Sequence, residues 1–180
     1  MCALSTRISM MSQGNAIVTD VTITRCPPAP LHVFEIWSNP AQVARRFEAA
    51  MGFALPPMGR AAGGAARTMI RCEPMVWLVT GDHAPLAAIL AEDGALTPID
   101  GGVVCFRLSG PGWRALLMEG GVFNAEDPAF GPGSSAATLI DHVNVRLHVQ
   151  SDDVCDAYVP TSFSAALQHF WDEAAKTLAF

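Results

Sequence analysis

Charge is scarce in this 180-residue chain. Only 16% of residues are charged, and the 11 basic ones are outnumbered by 17 acidic, giving a net charge of −6. Nucleic-acid binding needs a basic stripe, so that class is excluded. Long apolar runs are also missing. None approaches the ~20 residues of a membrane span. Residues 1–15 carry one arginine and no continuous apolar core, which argues against a signal peptide and predicts a flexible N-terminal tail on a cytoplasmic chain without membrane partners. The sequence contains no G-x-S-x-G, P-loop, H-E-x-x-H or G-x-G-x-x-G. The doublets Gly63-Gly64 and Gly101-Gly102 lack the further glycines of a nucleotide-binding turn. There is no fixed-period repeat.

The five cysteines, Cys2, Cys26, Cys72, Cys105 and Cys155, form no C-x-x-C pair, and none stands at zinc spacing from a histidine. They read as inert apolar thiols rather than a disulfide framework or a metal site. What the chain has in quantity is apolar residues, 51% of the total, with a mean hydropathy of +0.29. That composition specifies an ordered globular domain and suggests surface buried against a partner.

The clearest stretch is 99–118. Val103–Leu108 is a strand with Val104, Phe106 and Leu108 on one face. Ser109-Gly110-Pro111 turns the chain, with Pro111 suited to a first helical position. Trp113, Leu116 and Leu117 then form a helical stripe ended by Gly120-Gly121. Upstream, Ile17–Thr24 and Leu31–Trp37 read as strands. Asn39-Pro40 reads as an N-cap and helix start, followed by the stripe Val43, Phe47, Ala50, Met51 and a stop at Gly52. Residues 53–66 have no period and form a long connection. Thr68–Cys72 and Met75–Val79 are strands, the second apolar on both faces. Asp82 is expected to cap a helix carrying Leu86, Ile89 and Leu90 and ended by Gly94. Residues 122–133 are irregular. Val143–Val149 alternates, with Val143, Val145, Leu147 and Val149 inward and His148 outward to solvent. A turn at Ser151-Asp152-Asp153 leads to the hairpin partner Val154–Val159. Thr161 is expected to cap a final helix with Phe163, Leu167, Phe170, Trp171 and Ala174 on its apolar face. The result is an α+β chain of mixed or antiparallel sheets with packed helices, in two linked lobes at about 16–65 and 66–180.

Among polar residues, Asp141-His142 is the pair most like a site. It reads either as an acid/base dyad or as a strand-entry turn, and no third group orients it. Trp113 and Trp171 read as core. Met58, Met69, Met75 and Met118 share no period and read as gap-fillers.

An ordered set of segments carries a resemblance. Asp100, the strand end FRLSGP at 106–111, the loop NAEDPAFGPG at 124–133, the strands 138–149 and 154–159, and SFSAALQHFWDEAA at 162–175 resemble the first half of the aminomethyltransferase-type folate-binding family. So does CEPMVWLVTG at 72–81. Within that family the order and lengths are most similar to the gamma subunits of heterotetrameric sarcosine oxidases. The chain departs from the pattern at Asp100-Gly101-Gly102, where the family has D-x-S, and at Thr161-Ser162-Phe163, where the subunit has R-S-F. The K-G-C-Y-x-G-Q signature of the iron–sulfur-assembly branch is absent.

The resemblance implies a non-catalytic subunit of a complex that oxidises sarcosine to glycine and peroxide and passes the one-carbon unit to tetrahydrofolate. It implies FAD, FMN, NAD, zinc and tetrahydrofolate on other subunits, and the large folate-domain subunit as chief partner. The equivalent subunit of a related N-methyl amino acid dehydrogenase and a stand-alone folate-binding protein are the alternatives. No catalytic, cofactor or metal residue is assigned to this chain. The aperiodic stretches supply the candidate interface, Phe53, Leu55, Met58, Val122, Phe123 and Phe130, either as docking anchors or as lids folded on their own sheets.

Overall fold

The computed structural model describes residues 20–178. The expected tail at 1–15, Cys2, and Ile17 of the first strand lie outside the described residues. The chain forms β1 (Thr22–Arg25), β2 (Leu31–Ile36), α1 (Pro40–Met51), β3 (Arg60–Gly64), β4 (Arg67–Glu73), β5 (Val76–Gly81), α2 (Leu86–Leu90) and β6 (Gly94–Pro98). It continues with β7 (Val103–Ser109), α3 (Trp113–Met118), β8 (Ser135–Ile140), β9 (Val143–Ser151), β10 (Val154–Pro160), a 3-10 turn at Thr161–Phe163 and α4 (Ser164–Leu178).

The strands make two five-stranded sheets, β1-β7-β10-β9-β8 and β3-β4-β5-β2-β6. Every pairing between these strands is antiparallel. The fold is therefore α+β. Residue 65, where two lobes are expected to divide, lies in the turn joining β3 to β4 inside one sheet.

Alternation sorts the side chains into layers. From the first sheet, Phe106, Leu108, Val145, Leu147 and Val149 pack under α3 and α4, with Trp113, Leu167 and Trp171 fully buried. From the second, Phe34, Met69, Trp77 and Val79 pack under α1 and α2. The opposite faces meet each other. Leu31, Ile70, Cys72 and Leu78 of one sheet pack against Tyr158 of the other. The order of layers is thus helix, sheet, sheet, helix, and one thin apolar cluster joins the sheets.

Several local expectations are corrected. Residues 60–64 of the connection at 53–66 are the edge strand β3, held by its pairing with β4 rather than by a pattern of its own. Gly94 opens β6 instead of ending a helix, because a Cβ there would sit 2.0 Å from the Glu35 carbonyl oxygen of the neighbouring strand. Residues 135–140 form β8. Asn39 starts α1 without capping it, since its amide donates to Asp93 Oδ1 at 2.8 Å. Asp82 folds into a local turn, accepting from the Ala84 N–H at 3.0 Å. Pro111 sits in the turn before α3, with Gly112 in the capping position. Thr161 spends its hydroxyl on the Gly101 carbonyl at 3.0 Å, so it does not cap α4. Ala50 and Phe163 are exposed. Of the four methionines, only Met69 fills the core.

Candidate functional site

The face that the first sheet turns toward the second holds nearly all of its polar chemistry. Strand register arranges these side chains in two adjacent rows. Thr24, Arg107, Asp156 and His148 pair in succession across β1, β7, β10 and β9. In the neighbouring row, Cys105 faces Tyr158, which faces Arg146. Cys26 joins this row just past β1, its N–H donating to the Cys105 carbonyl at 2.9 Å. Each of these residues alternates with one of the buried apolar groups beneath, so the hydrophobic pattern itself delivers them to one surface.

Arg107 and Asp156 form a two-pronged ion pair, with Nε to Oδ1 and Nη2 to Oδ2 both at 2.8 Å. The Asp156 carboxylate raises the Arg107 pKa further above its already high range, against the opposing effect of burial. The Gln150 amide donates to Asp156 Oδ2 at 2.9 Å and lies 3.0 Å from His148 Nδ1. The amide donates in both contacts, so His148 Nδ1 accepts and the ring is neutral. Burial lowers the His148 pKa. Asp156 opposes that shift and Arg107 adds to it. His148 was expected in solvent, but it is buried, because the second sheet covers the face on which alternation places it.

A cavity of about 300 Å³ opens beside these rows, lined by Cys26, Cys105, Arg107, Asp156 and Tyr158 and rimmed by Pro27, Pro28 and Pro30. Burial pushes the Cys105 thiol up, and the Asp156 charge and the neighbouring Cys26 push the same way. Burial likewise raises Cys155, and takes Cys72 up to about 11. Nucleophilic thiols require the opposite shift. The Tyr158 hydroxyl is also raised, first by burial. These groups are therefore neutral at pH 7, and the one carboxylate among them is tied to a guanidinium.

The aminomethyltransferase resemblance implies folate for full-length members of that family. The cavity here is at the lower limit for a drug-sized ligand, roughly 300–1,000 Å³. Arg107, Asp156 and Gln150 in its lining are hydrogen-bonded to one another, and no residue of it is assigned to folate.

Asp141 and His142 form the exposed two-residue turn between β8 and β9, with φ of 46° and 65°. This is the turn reading of the pair. On the far side, His32 is buried and its ring stacks on exposed His83 at 4.0 Å between centroids. Burial lowers the His32 pKa, His83 adds to that, and Asp100 opposes it. Asp100, one of the residues that carries the resemblance, accepts a hydrogen bond from the Leu31 N–H at 3.0 Å and so anchors the start of β2.

The six candidate interface residues divide. Phe53 sets its edge against Phe47, with centroids 5.3 Å apart, and Leu55 packs beside it. Phe123 meets Phe130 edge-on at 5.3 Å, and Phe130 leans on Trp113. Arg114 ties this loop down by donating to the Phe130 carbonyl at 2.9 Å while stacking over Trp113. Met58 and Val122 are the two that stand out from the surface, 53% and 72% exposed.

No protein-family model matches this chain, and no curated protein sequence matches it. Solved structures do. A chain of the heterotetrameric sarcosine oxidase from Corynebacterium sp. U-96, determined in complex with pyrrole 2-carboxylate, superposes with a TM-score of 0.79 at 18% identity. That match covers 91% of this chain and 87% of the other. The glycine cleavage system aminomethyltransferase T from Bartonella henselae superposes with a TM-score of 0.64 at 14% identity over 87% of this chain. This chain spans 46% of that enzyme. The likeness is one of fold: this chain has the fold that the two share, as the resemblance in the sequence predicts.

Proposed function

We propose that this chain is the small, non-catalytic gamma subunit of a cytoplasmic heterotetrameric oxidase acting on sarcosine. The observation that carries the reading is the mutual coverage of 91% and 87% with a chain of a heterotetrameric sarcosine oxidase. A chain that shares its fold over most of its length with most of one component of an assembly fits the role of a component. The same chain spans less than half of the aminomethyltransferase.

The site chemistry agrees with that role. Its Cys105 thiol is raised, its histidine is lowered and its carboxylate is paired. In this reading FAD, FMN, NAD, zinc and tetrahydrofolate belong to the partner subunits, and the large folate-domain subunit is the principal contact. Met58 and Val122 are the exposed members of the proposed docking stretches. Leu139, also exposed, shares a surface depression with Val122 on the edge strand β8. The test is affinity capture of the tagged full chain from its own cells, with peptide sequencing of what accompanies it. Three further chains in equal amounts, one of them flavin-bearing, are expected. A chain that emerges alone and binds tetrahydrofolate by itself overturns the reading.

A further inference from the structure

The fold gathers two half-buried thiols and a buried carboxylate that no spacing in the sequence relates, and we propose that Cys26, Cys105 and Asp156 form a binding site for one thiophilic divalent cation, zinc(II) above all. The two sulfurs and a carboxylate oxygen all lie within 4.8 Å of one another. Bond lengths of ~2.0–2.3 Å in a four-coordinate zinc site place ligand atoms roughly 3.3–3.8 Å apart. Small rotations into the adjoining cavity close that difference. Two thiolates favour a soft or borderline ion over magnesium or calcium.

Arg107 supports the site instead of competing for it. Asp156 Oδ2 accepts from both Arg107 and Gln150, whereas Oδ1 accepts from Arg107 alone and keeps a lone pair. Oδ1 is thus the ligand atom, and the guanidinium holds the carboxylate in orientation, as outer partners of metal ligands do. The charges also balance. Two thiolates and one carboxylate are met by a divalent ion and one guanidinium, so the filled site is neutral where an isolated buried charge would be costly. All three ligands line the cavity, which leaves room for a fourth. Tyr158 lines that cavity, is 6% exposed, and its hydroxyl makes no hydrogen bond to the described residues, leaving it available to a water on the ion.

Binding converts two thiols to thiolates and releases two protons to solvent for each ion taken up. Because protons leave as the ion enters, uptake is pH-dependent. The proposal does not depend on the oxidase reading, since the site lies wholly within this chain.

The experiment uses the reduced full chain, stripped with a chelator and titrated with cobalt(II) and then zinc(II). Expected are a thiolate-to-cobalt charge-transfer band saturating at one ion per chain, displacement by zinc, and release of two protons per ion. Peptide mapping after alkylation should show Cys26 and Cys105 protected by zinc while Cys72 and Cys155 are unchanged by it. Cys26→Ser lies outside the strand ladder and should keep the fold while weakening cobalt binding more than about 10-fold, the lower bound even for outer partners of metal ligands. Asp156→Asn should weaken it in the same direction. The wild-type protection pattern needs no variant, so a misfolded mutant does not blunt the test. The proposal fails if no charge-transfer band appears, if Cys26→Ser binds as tightly as wild type, or if zinc leaves both cysteines open to alkylation.

Discussion

Arg107 and Asp156 stand directly opposite each other on β7 and β10 and share two hydrogen bonds of 2.8 Å. The pair is lopsided in its surroundings. The Arg107 side chain is 48% exposed, and that of Asp156 only 5%. Loss of the arginine strands a buried carboxylate, whereas loss of both charges removes the need for either. Arg107→Met should destabilise the chain by about 1–3 kcal/mol, below the ~3–5 kcal/mol of a fully buried pair, because Gln150 remains and water reaches the arginine's place. Arg107→Met with Asp156→Leu should recover most of that loss. Urea unfolding of the two variants measures both terms.

Acid should weaken the fold through its buried histidines. His148 and His32 both have pKa values depressed below 6.5 in the folded state, chiefly by burial. A depressed pKa means that the unfolded chain binds protons first. The stability these neutral rings carry is complete above about pH 6.5 and is lost as pH falls from there toward the folded-state values. Unfolding free energy should be flat from pH 8 to 7 and decline below. His148→Asn should reduce that slope; an unchanged slope in the variant removes His148 from the account.

Gly110 should tolerate no side chain. Its φ is +105°, and a Cβ would stand 2.4 Å from the Asp20 carbonyl oxygen. The turn it makes delivers Trp113 to the core, where the indole N–H donates to the Asp152 carbonyl at 2.8 Å. Gly110→Ala combines backbone strain of about 1–3 kcal/mol with a steric clash. A melting temperature unchanged in that variant contradicts this account of the turn.

The sequence made legible the elements whose periodicity is strong. β7, α3, β9 and β10 fall where alternation and the Trp113–Leu117 stripe put them. β3, β6 and the first half of β8 escaped because RAAGG, GALTP and SAATLI are small, glycine-, proline- or threonine-bearing segments. β3 and β8 are edge strands whose structure comes from a partner rather than from their own propensity. His148 shows a different limit. Alternation assigned it to the correct face, but that face meets a second sheet instead of water. The thiol cluster was invisible for a third reason: Cys105 and Asp156 come together through the register of β7 and β10, with Cys26 just past the end of β1, and linear spacing carries no trace of register.

The exposed and buried halves of the proposed interface should respond in opposite ways. Val122→Asp and Met58→Asp leave the core untouched, so they should weaken partner association by ~2 kcal/mol or more at unchanged melting temperature. Phe123→Asp buries a charge against Phe130 and should unfold the isolated chain. Binding assays paired with thermal melts separate the two classes. Full-strength association by Val122→Asp and Met58→Asp moves the interface elsewhere.

The most direct test of the central claim is reassembly. The partner subunits, prepared without this chain, are recombined with either the wild-type chain or one carrying Asp141→Ala and His142→Ala, and sarcosine turnover of the purified complex is measured. The account predicts incorporation of one copy of either chain and nearly equal turnover, because under the proposal the chain supplies structure and no chemistry. A double variant that assembles normally yet loses more than about 100-fold in kcat, the scale of general acid–base catalysis, contradicts it.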